Sequence, residues 1–242
     1  MAASEKTVDP ARHVRLAILS RAPEPGRSKT RLAAAIGDAA AAHLAEAFLL
    51  DISEALRDSA DWTTTLFVEP AAAADQMRRL TGIDEVQGQT TGSIGARMAA
   101  AVAASISAGA DTVIVVGSDI PALGADHVRI TLEALREHDV VFGPARDGGY
   151  YLVGIGPTPL ASGRYIALFD DTAVQWSTAT VLAESEAIAK EQRFMSARLG
   201  EASDVDTVAD LASLRRELAA LPITRAVHTR AALRALDGDG LI

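Results

Sequence analysis

The sequence predicts an α/β protein: a single domain on a mostly parallel, doubly wound sheet with helices on both faces. Three observations carry this reading. Short β-branched runs alternate with stretches of helical composition along nearly the whole chain. The run Thr112–Val116 is apolar without alternation and is bounded by Gly117 and Pro121, the pattern of a strand buried on both faces of a parallel sheet. No repeat, low-complexity segment or Gly/Pro/Ser-rich linker divides the 242 residues.

Residues 1–13 are polar and without pattern, a disordered tail by expectation; the main domain spans 14–222, and a last helix and tail fill 223–242. Val14–Ser20 is the first strand. A loop stiffened by two prolines follows, and Ser28 is placed to cap a helix from Lys29. Ala39–Leu56 reads as a helix with Leu44, Phe48, Leu49, Ile52 and Leu56 on its core side. Thr63–Glu69 is a strand, Ala71–Leu80 a helix, and Ser93 a cap for the helix containing Met98. After the central strand come a helix over Ala125–Glu137 and a strand over Asp139–Pro144. The turn Asp147-Gly-Gly149 then leads into a returning strand, Tyr150–Ile155. Trp176-Ser-Thr178 precedes a helix ending near Lys190; Arg193–Leu199 is a strand, and Asp204-Val-Asp-Thr207 opens the helix Val208–Leu218.

Bulk composition narrows the function. A net charge of -9 argues against a large basic surface for nucleic acid. The absence of cysteine excludes disulfides, thiolate catalysis and zinc–thiolate sites. No secretory signal or apolar stretch long enough for a bilayer is present, so the expectation is a cytoplasmic protein without a membrane partner. The five histidines, at 13, 43, 127, 138 and 228, lie outside every motif, which leaves a Ser/His/Asp hydrolase poorly supported.

Three places carry chemistry. Arg27, Lys29 and Arg31 cluster at a helix start, where the macrodipole disfavours cations by a few tenths of a kcal/mol each, up to about 1. An anion among them would justify the arrangement; a solvated basic turn is the plain alternative. Asp119 emerges just past the central strand, where open α/β sheets bind ligands. It is either a metal ligand or a helix cap. Asp204 and Asp206, two apart in extended chain, point the same way while Val205 faces the core. Two like charges side by side are costly unless a cation joins them; otherwise one of them merely caps the next helix. Arg97 is a further anion contact or an ordinary surface arginine, and Trp176 either packs or stacks on a base or sugar. A divalent ion held by a few carboxylates, with substrate phosphates completing its shell, is how Mg²⁺ is commonly bound. The loop is not a P-loop, and no G-x-G-x-x-G is present.

At these residues the sequence resembles a known family. Pro25-Gly-Arg-Ser-Lys-Thr-Arg-Leu32, Ile94-Gly-Ala-Arg-Met98, Gly117-Ser-Asp-Ile-Pro-Ala-Leu123, Gly143–Leu152, Trp176-Ser-Thr178 and Asp204-Val-Asp-Thr207 occur in order. Together they resemble the DUF2064 bacterial family, also called radical-SAM/selenodomain-associated transferase 1 or CofC-like glycosyltransferase, over roughly Val14 to Leu221. The resemblance implies the GT-A (nucleotide-diphospho-sugar transferase) fold. It also implies kinship with the molybdopterin-cofactor nucleotidyltransferases and the guanylyltransferase of coenzyme F420 synthesis. By the same resemblance Asp119, Asp204 and Asp206 would hold Mg²⁺ (or Mn²⁺). Pro25, Gly26, Arg27, Ser28, Lys29, Arg31, Gly95, Arg97 and Ser118 would bind the nucleotide and its phosphates. Asp147, Gly148, Gly149, Tyr150, Trp176 and Thr178 would face the acceptor.

The expected reaction is nucleotidyl transfer from an NTP to a small phosphorylated acceptor, with Lys29, Arg31 and Asp119 catalytic. The alternatives are a glycosyltransferase using a nucleotide-sugar and a nucleotide-binding protein without turnover. Glycosyltransferases of this fold typically carry Asp-x-Asp after the central strand. Gly117-Ser-Asp119 has no acid at 117, which favours nucleotidyl transfer. Fold alone does not fix function, so the reaction is read from the site residues.

Overall fold

The computed structural model describes residues 13–240, so the expected N-terminal tail lies, except for His13, outside the described residues. Seven strands form one sheet in the order β3-β2-β1-β4-β6-β5-β7. They are β1 (Val14–Arg21), β2 (Thr63–Glu69), β3 (Glu85–Gly88), β4 (Thr112–Gly117), β5 (Val140–Pro144), β6 (Tyr150–Ile155) and β7 (Ser196–Arg198). The helices are α1 (Thr30–Ile36), α2 (Asp38–Ala55), α3 (Ala74–Thr81), α4 (Ile94–Ser107), α5 (Ala125–Ala134), α6 (Pro157–Ala161), α7 (Val181–Glu191), α8 (Val208–Ala220) and α9 (Val227–Gly238).

Period-two burial explains the layering. In β1, Leu16 and Ile18 face one core cluster while Ala17 and Leu19 face a second. In β4, Ile114 and Val116 face the first and Val113 and Val115 the second. Both strands are therefore apolar on both faces, as the unbroken run at 112–116 requires. A third cluster, including Leu32, Phe48, Leu211, Leu214, Leu218 and Leu233, seals α1, α2, α8 and α9 to one another. There Asp51 of α2, itself buried, accepts the N–H groups of His228 (3.0 Å) and Thr229 (2.7 Å) and so caps α9 from another helix.

The central strand is parallel to its neighbours on one side only. β4 runs parallel to β1 but antiparallel to β6, because the Asp147-Gly-Gly turn returns the chain and inserts β6 between β4 and β5. Strand β3, four residues of Glu-Val-Gln-Gly, has no apolar run to announce it and forms by pairing with β2. The expected helix from Ala71 starts as a 3₁₀ turn, Ala71–Ala73, after Pro70. No described helix is long and apolar enough to cross a membrane.

Strand order reverses between β1 and β4, since β2 and β3 lie on one side of β1 and the later strands on the other. That switch point leaves a crevice beyond the carboxyl ends of β1 and β4.

Candidate active site

The β1 loop turns inward because of Ser28. Its buried hydroxyl accepts the Glu24 N–H at 2.9 Å and donates to the Ala22 carbonyl, which closes the Pro-Glu-Pro-Gly turn. Ser28 is therefore not the cap of α1, as its side chain is already engaged. Lys29 occupies the cap position in left-handed backbone (φ 47, ψ 48), a conformation costing a non-glycine residue roughly 1–2 kcal/mol. The bend sends its side chain down into the switch-point crevice. There Lys29 Nζ lies 2.6 Å from Asp119 Oδ1 and 3.1 Å from Asp206 Oδ1, and the side chain is only 5% exposed. The Phe48 ring lies 5.7 Å away. Burial alone would lower the ammonium pKa; the charges and hydrogen bonds of Asp119 and Asp206 outweigh it and hold Lys29 above the ordinary lysine value.

Both aspartates are relieved of capping duty. Helix α5 starts at Ala125 behind Gly124, and His127 Nδ1 accepts the Gly124 N–H, so Asp119 caps nothing. At α8, Asp210 reaches back to the N–H groups of Thr207 (2.7 Å) and Asp206 (3.1 Å). Val205 is 1% exposed in the helical cluster, and this anchor points the flanking Asp206 into the crevice.

A cleft of about 630 Å³ surrounds this centre. Arg27, Ser28, Lys29, Arg31, Arg97, Ser118, Asp119, Asp147, Gly149, Tyr150, Trp176, Thr178 and Asp206 all line it, so the structure gathers most of the expected set. Arg31 Nη1 lies 3.9 Å from Asp206, and Ser118 donates to the Ser20 hydroxyl at 2.9 Å across the β1–β4 boundary.

Five expected residues do not line the cleft. Pro25 and Gly26 shape the turn, the latter at φ +77. A Cβ on Gly95 would fall 2.4 Å from Trp176 Nε1, and one on Gly148 (φ +90) would fall 2.1 Å from the Ala179 carbonyl oxygen. Those two glycines admit close packing of protein atoms. Asp204 feels Asp206 and Asp147 but stays behind the lining; burial, then Asp206, then Asp147 push its carboxyl pKa up. The expected three-carboxylate cluster is accordingly not assembled. Among the described residues no three acidic or histidine side chains group closely enough to hold a metal. Two carboxylates converging on one cation, with a third unneutralised acid behind them, nonetheless fit a divalent ion whose remaining ligands are substrate oxygens and water.

Trp176 packs and lines at once. Its ring meets Tyr150 edge-on at 6.5 Å, and its Nε1–H is buried without a hydrogen-bond partner. Burial pushes the Tyr150 phenol above its usual pKa.

The chain matches, over residues 49–178, the family described as "Uncharacterized protein conserved in bacteria (DUF2064)". It belongs to the DUF2064 family. This DUF2064 chain is 34% identical over 133 residues to 3-phospho-D-glycerate guanylyltransferase of Phenylobacterium zucineum (strain HLK1), a match covering 53% of the chain and 61% of that relative's length. It superposes with TM-score 0.84 and 29% identity on a Desulfovibrio desulfuricans G20 structure provisionally described as a nucleotide-diphospho-sugar transferase, covering 94% of this chain and 96% of that one. Rv0371C of Mycobacterium tuberculosis H37Rv, solved as a manganese complex, shares the fold at TM-score 0.50 and 17% identity, with 86% and 100% coverage.

The DUF2064 cleft is also lined by Arg21, Glu69 and Gln89, which no local motif marks. Arg21 and Arg97 converge on Glu69 at the end of β2, at 3.5 and 2.8 Å. Gln89, just past β3, donates to the carbonyls of Ser20 (2.8 Å) and Phe67 (2.9 Å). A glutamate closing a strand looks like any solvated strand end, and only the strand order brings it opposite Arg97.

Proposed function

We propose that the chain is a divalent-metal-dependent nucleotidyltransferase. In this reading an oxygen of a small phosphorylated acceptor attacks the α-phosphorus of a nucleoside triphosphate. The new P–O bond replaces the bond to the bridging oxygen, and pyrophosphate leaves with the electron pair. The observation that carries the reading is the meeting of Lys29, Asp119 and Asp206 at the sheet's switch point, inside a cleft also lined by Arg21, Arg27, Arg31 and Arg97. The 34% identity to a guanylyltransferase supports the reaction class, and the manganese of the mycobacterial fold neighbour is an ion of the same hard, oxygen-seeking kind.

Catalysis of this kind is mostly positioning and charge neutralisation. Lys29 and Arg31 stabilise charge gathering on the departing pyrophosphate, while Arg27 and Arg97 hold outer phosphate oxygens. Asp119 and Asp206 would hold Mg²⁺ or Mn²⁺, which neutralises phosphate charge when bound. Asp147, Gly149, Tyr150, Trp176 and Thr178 bound the acceptor half of the cleft.

The test is a thermal-shift and calorimetric screen of nucleoside triphosphates and nucleotide-sugars with and without Mg²⁺. A Mg²⁺-dependent shift with one triphosphate, lost in Asp119→Ala while the circular dichroism spectrum is kept, is the expected result. Unchanged Mg-nucleotide affinity in that variant removes the metal assignment. A response to nucleotide-sugars alone replaces nucleotidyl with glycosyl transfer.

A further inference from the structure

Lys29 is an unusual phosphate-grasping residue. A lysine with that task alone can wait in solvent on a flexible stem, yet this side chain is held 5% exposed beneath the cleft. Its backbone adopts a left-handed conformation that lysine rarely takes, and its ammonium is divided between Asp119 at 2.6 Å and Asp206 at 3.1 Å. Those are the carboxylates assigned to the divalent ion. The two aspartates are themselves 55% and 39% exposed, so solvent and ions reach them from the cleft while the ammonium approaches from the buried side.

We propose that Lys29 is a built-in stand-in cation that closes Asp119 and Asp206 to a free divalent ion, so that the site takes the ion only together with a nucleotide. This rests on the nucleotidyl-transfer reading. Two like carboxylates facing one spot need a positive charge between them. Lys29 supplies it while the cleft holds no substrate. Adding a doubly charged ion to the same pair would force the ammonium against it, and like charges at this separation repel strongly away from bulk water. Phosphate oxygens change the balance, because Lys29 can transfer its hydrogen bonds to them without losing a charged partner. The metal–nucleotide complex is thus the entering species, and the ammonium passes from carboxylate to phosphate in the same event.

Binding of Mn²⁺, counted by electron paramagnetic resonance of the free ion, tests this with full-length protein. The wild-type chain is expected to bind Mn²⁺ at least tenfold more weakly alone than in the presence of a non-hydrolysable triphosphate analogue. Lys29→Gln is expected to bind free Mn²⁺ at least tenfold more tightly than wild type, while Lys29→Arg, which keeps the charge, stays at the wild-type value. Combining Lys29→Gln with Asp119→Asn should remove the gain. Melting curves and circular dichroism establish that each variant is folded. If Lys29→Gln melts out, Lys29→Met, which also removes the charge, carries the same expectation, and every titration is read against the same analogue without protein because a triphosphate chelates Mn²⁺ by itself. Free Mn²⁺ bound by wild type as tightly as by Lys29→Gln, or as tightly without nucleotide as with it, overturns the stand-in role while leaving nucleotidyl transfer standing. Failure of the wild-type chain to bind any metal–triphosphate complex would instead overturn the nucleotidyl-transfer reading.

Discussion

Arg97, in the first turn of α4, donates to the carboxylate of Glu69 at 2.8 Å and thereby ties the helix to the end of β2 across the cleft rim. The guanidinium also donates from Nε to the Gly92 carbonyl at 3.1 Å, so it is fixed at two points. Arg97→Ala is therefore expected to weaken triphosphate binding about tenfold, the scale of one charge-assisted hydrogen bond. Glu69→Gln should cost less, because the amide oxygen still accepts from Arg97. Titration calorimetry at fixed ionic strength reads both.

The Asp51 carboxylate serves two backbone N–H groups of α9, that of Thr229 buried and that of His228 half-buried. Asp51→Ala is expected to destabilise the chain by about 1–3 kcal/mol. Loss of hydrogen-exchange protection should concentrate in α9. Uniform loss of protection across the sheet would contradict this local role.

Asp204 gives a pH dependence of defined sign. Its folded pKa is raised by burial and by the charges of Asp206 and Asp147, so the folded state binds the proton more tightly than the unfolded chain does. Stability therefore falls as pH climbs from the ordinary carboxylate range through the raised folded value, and stays at the lower level above it. Asp204→Asn should remove that fall, raising Tm near neutrality by about 2–4 °C, equivalent to up to about 1 kcal/mol. Below both pKa values the variant and wild type should melt alike. Lys29 follows the same sign in a higher window: its pKa is raised, so its ion pairs persist through neutral pH and are lost only as strongly alkaline solution deprotonates the ammonium.

Gly95 sits against the Trp176 ring, where a Cβ would come within 2.4 Å of Nε1. Gly95→Ala should displace the ring, costing about 1–3 kcal/mol through overpacking. A shift in tryptophan emission with weakened acceptor binding is the expected readout. Because Trp62 packs among the core residues under the opposite face of the sheet, its emission should not change.

Much of this molecule was readable from short stretches of chain. The β-branched run at 112–116, the Asp147-Gly-Gly turn and the Ser93 cap each reflect interactions between residues a few positions apart, and each appears where expected. Misreadings arose where two local roles competed. Ser28 has the composition of a cap but spends its hydroxyl on the turn before it. Strand β3 and Glu69 carried no local signal, because a four-residue edge strand and a strand-end glutamate gain their meaning from their neighbours.

The strand–helix alternation, the family, and the charged side chains near strand ends are all written in local stretches of chain. These follow from side-chain periodicity, turn chemistry and capping, all set within a few residues. That Lys29 lies between Asp119 and Asp206, the latter 177 positions away, and that Asp204 stands behind them, follows from the folded chain alone. The arrangement depends on strand order and on burial of Val205 among α1, α2, α8 and α9. Packing between distant segments, and no local preference, fixes which charges share the low-dielectric floor of the cleft.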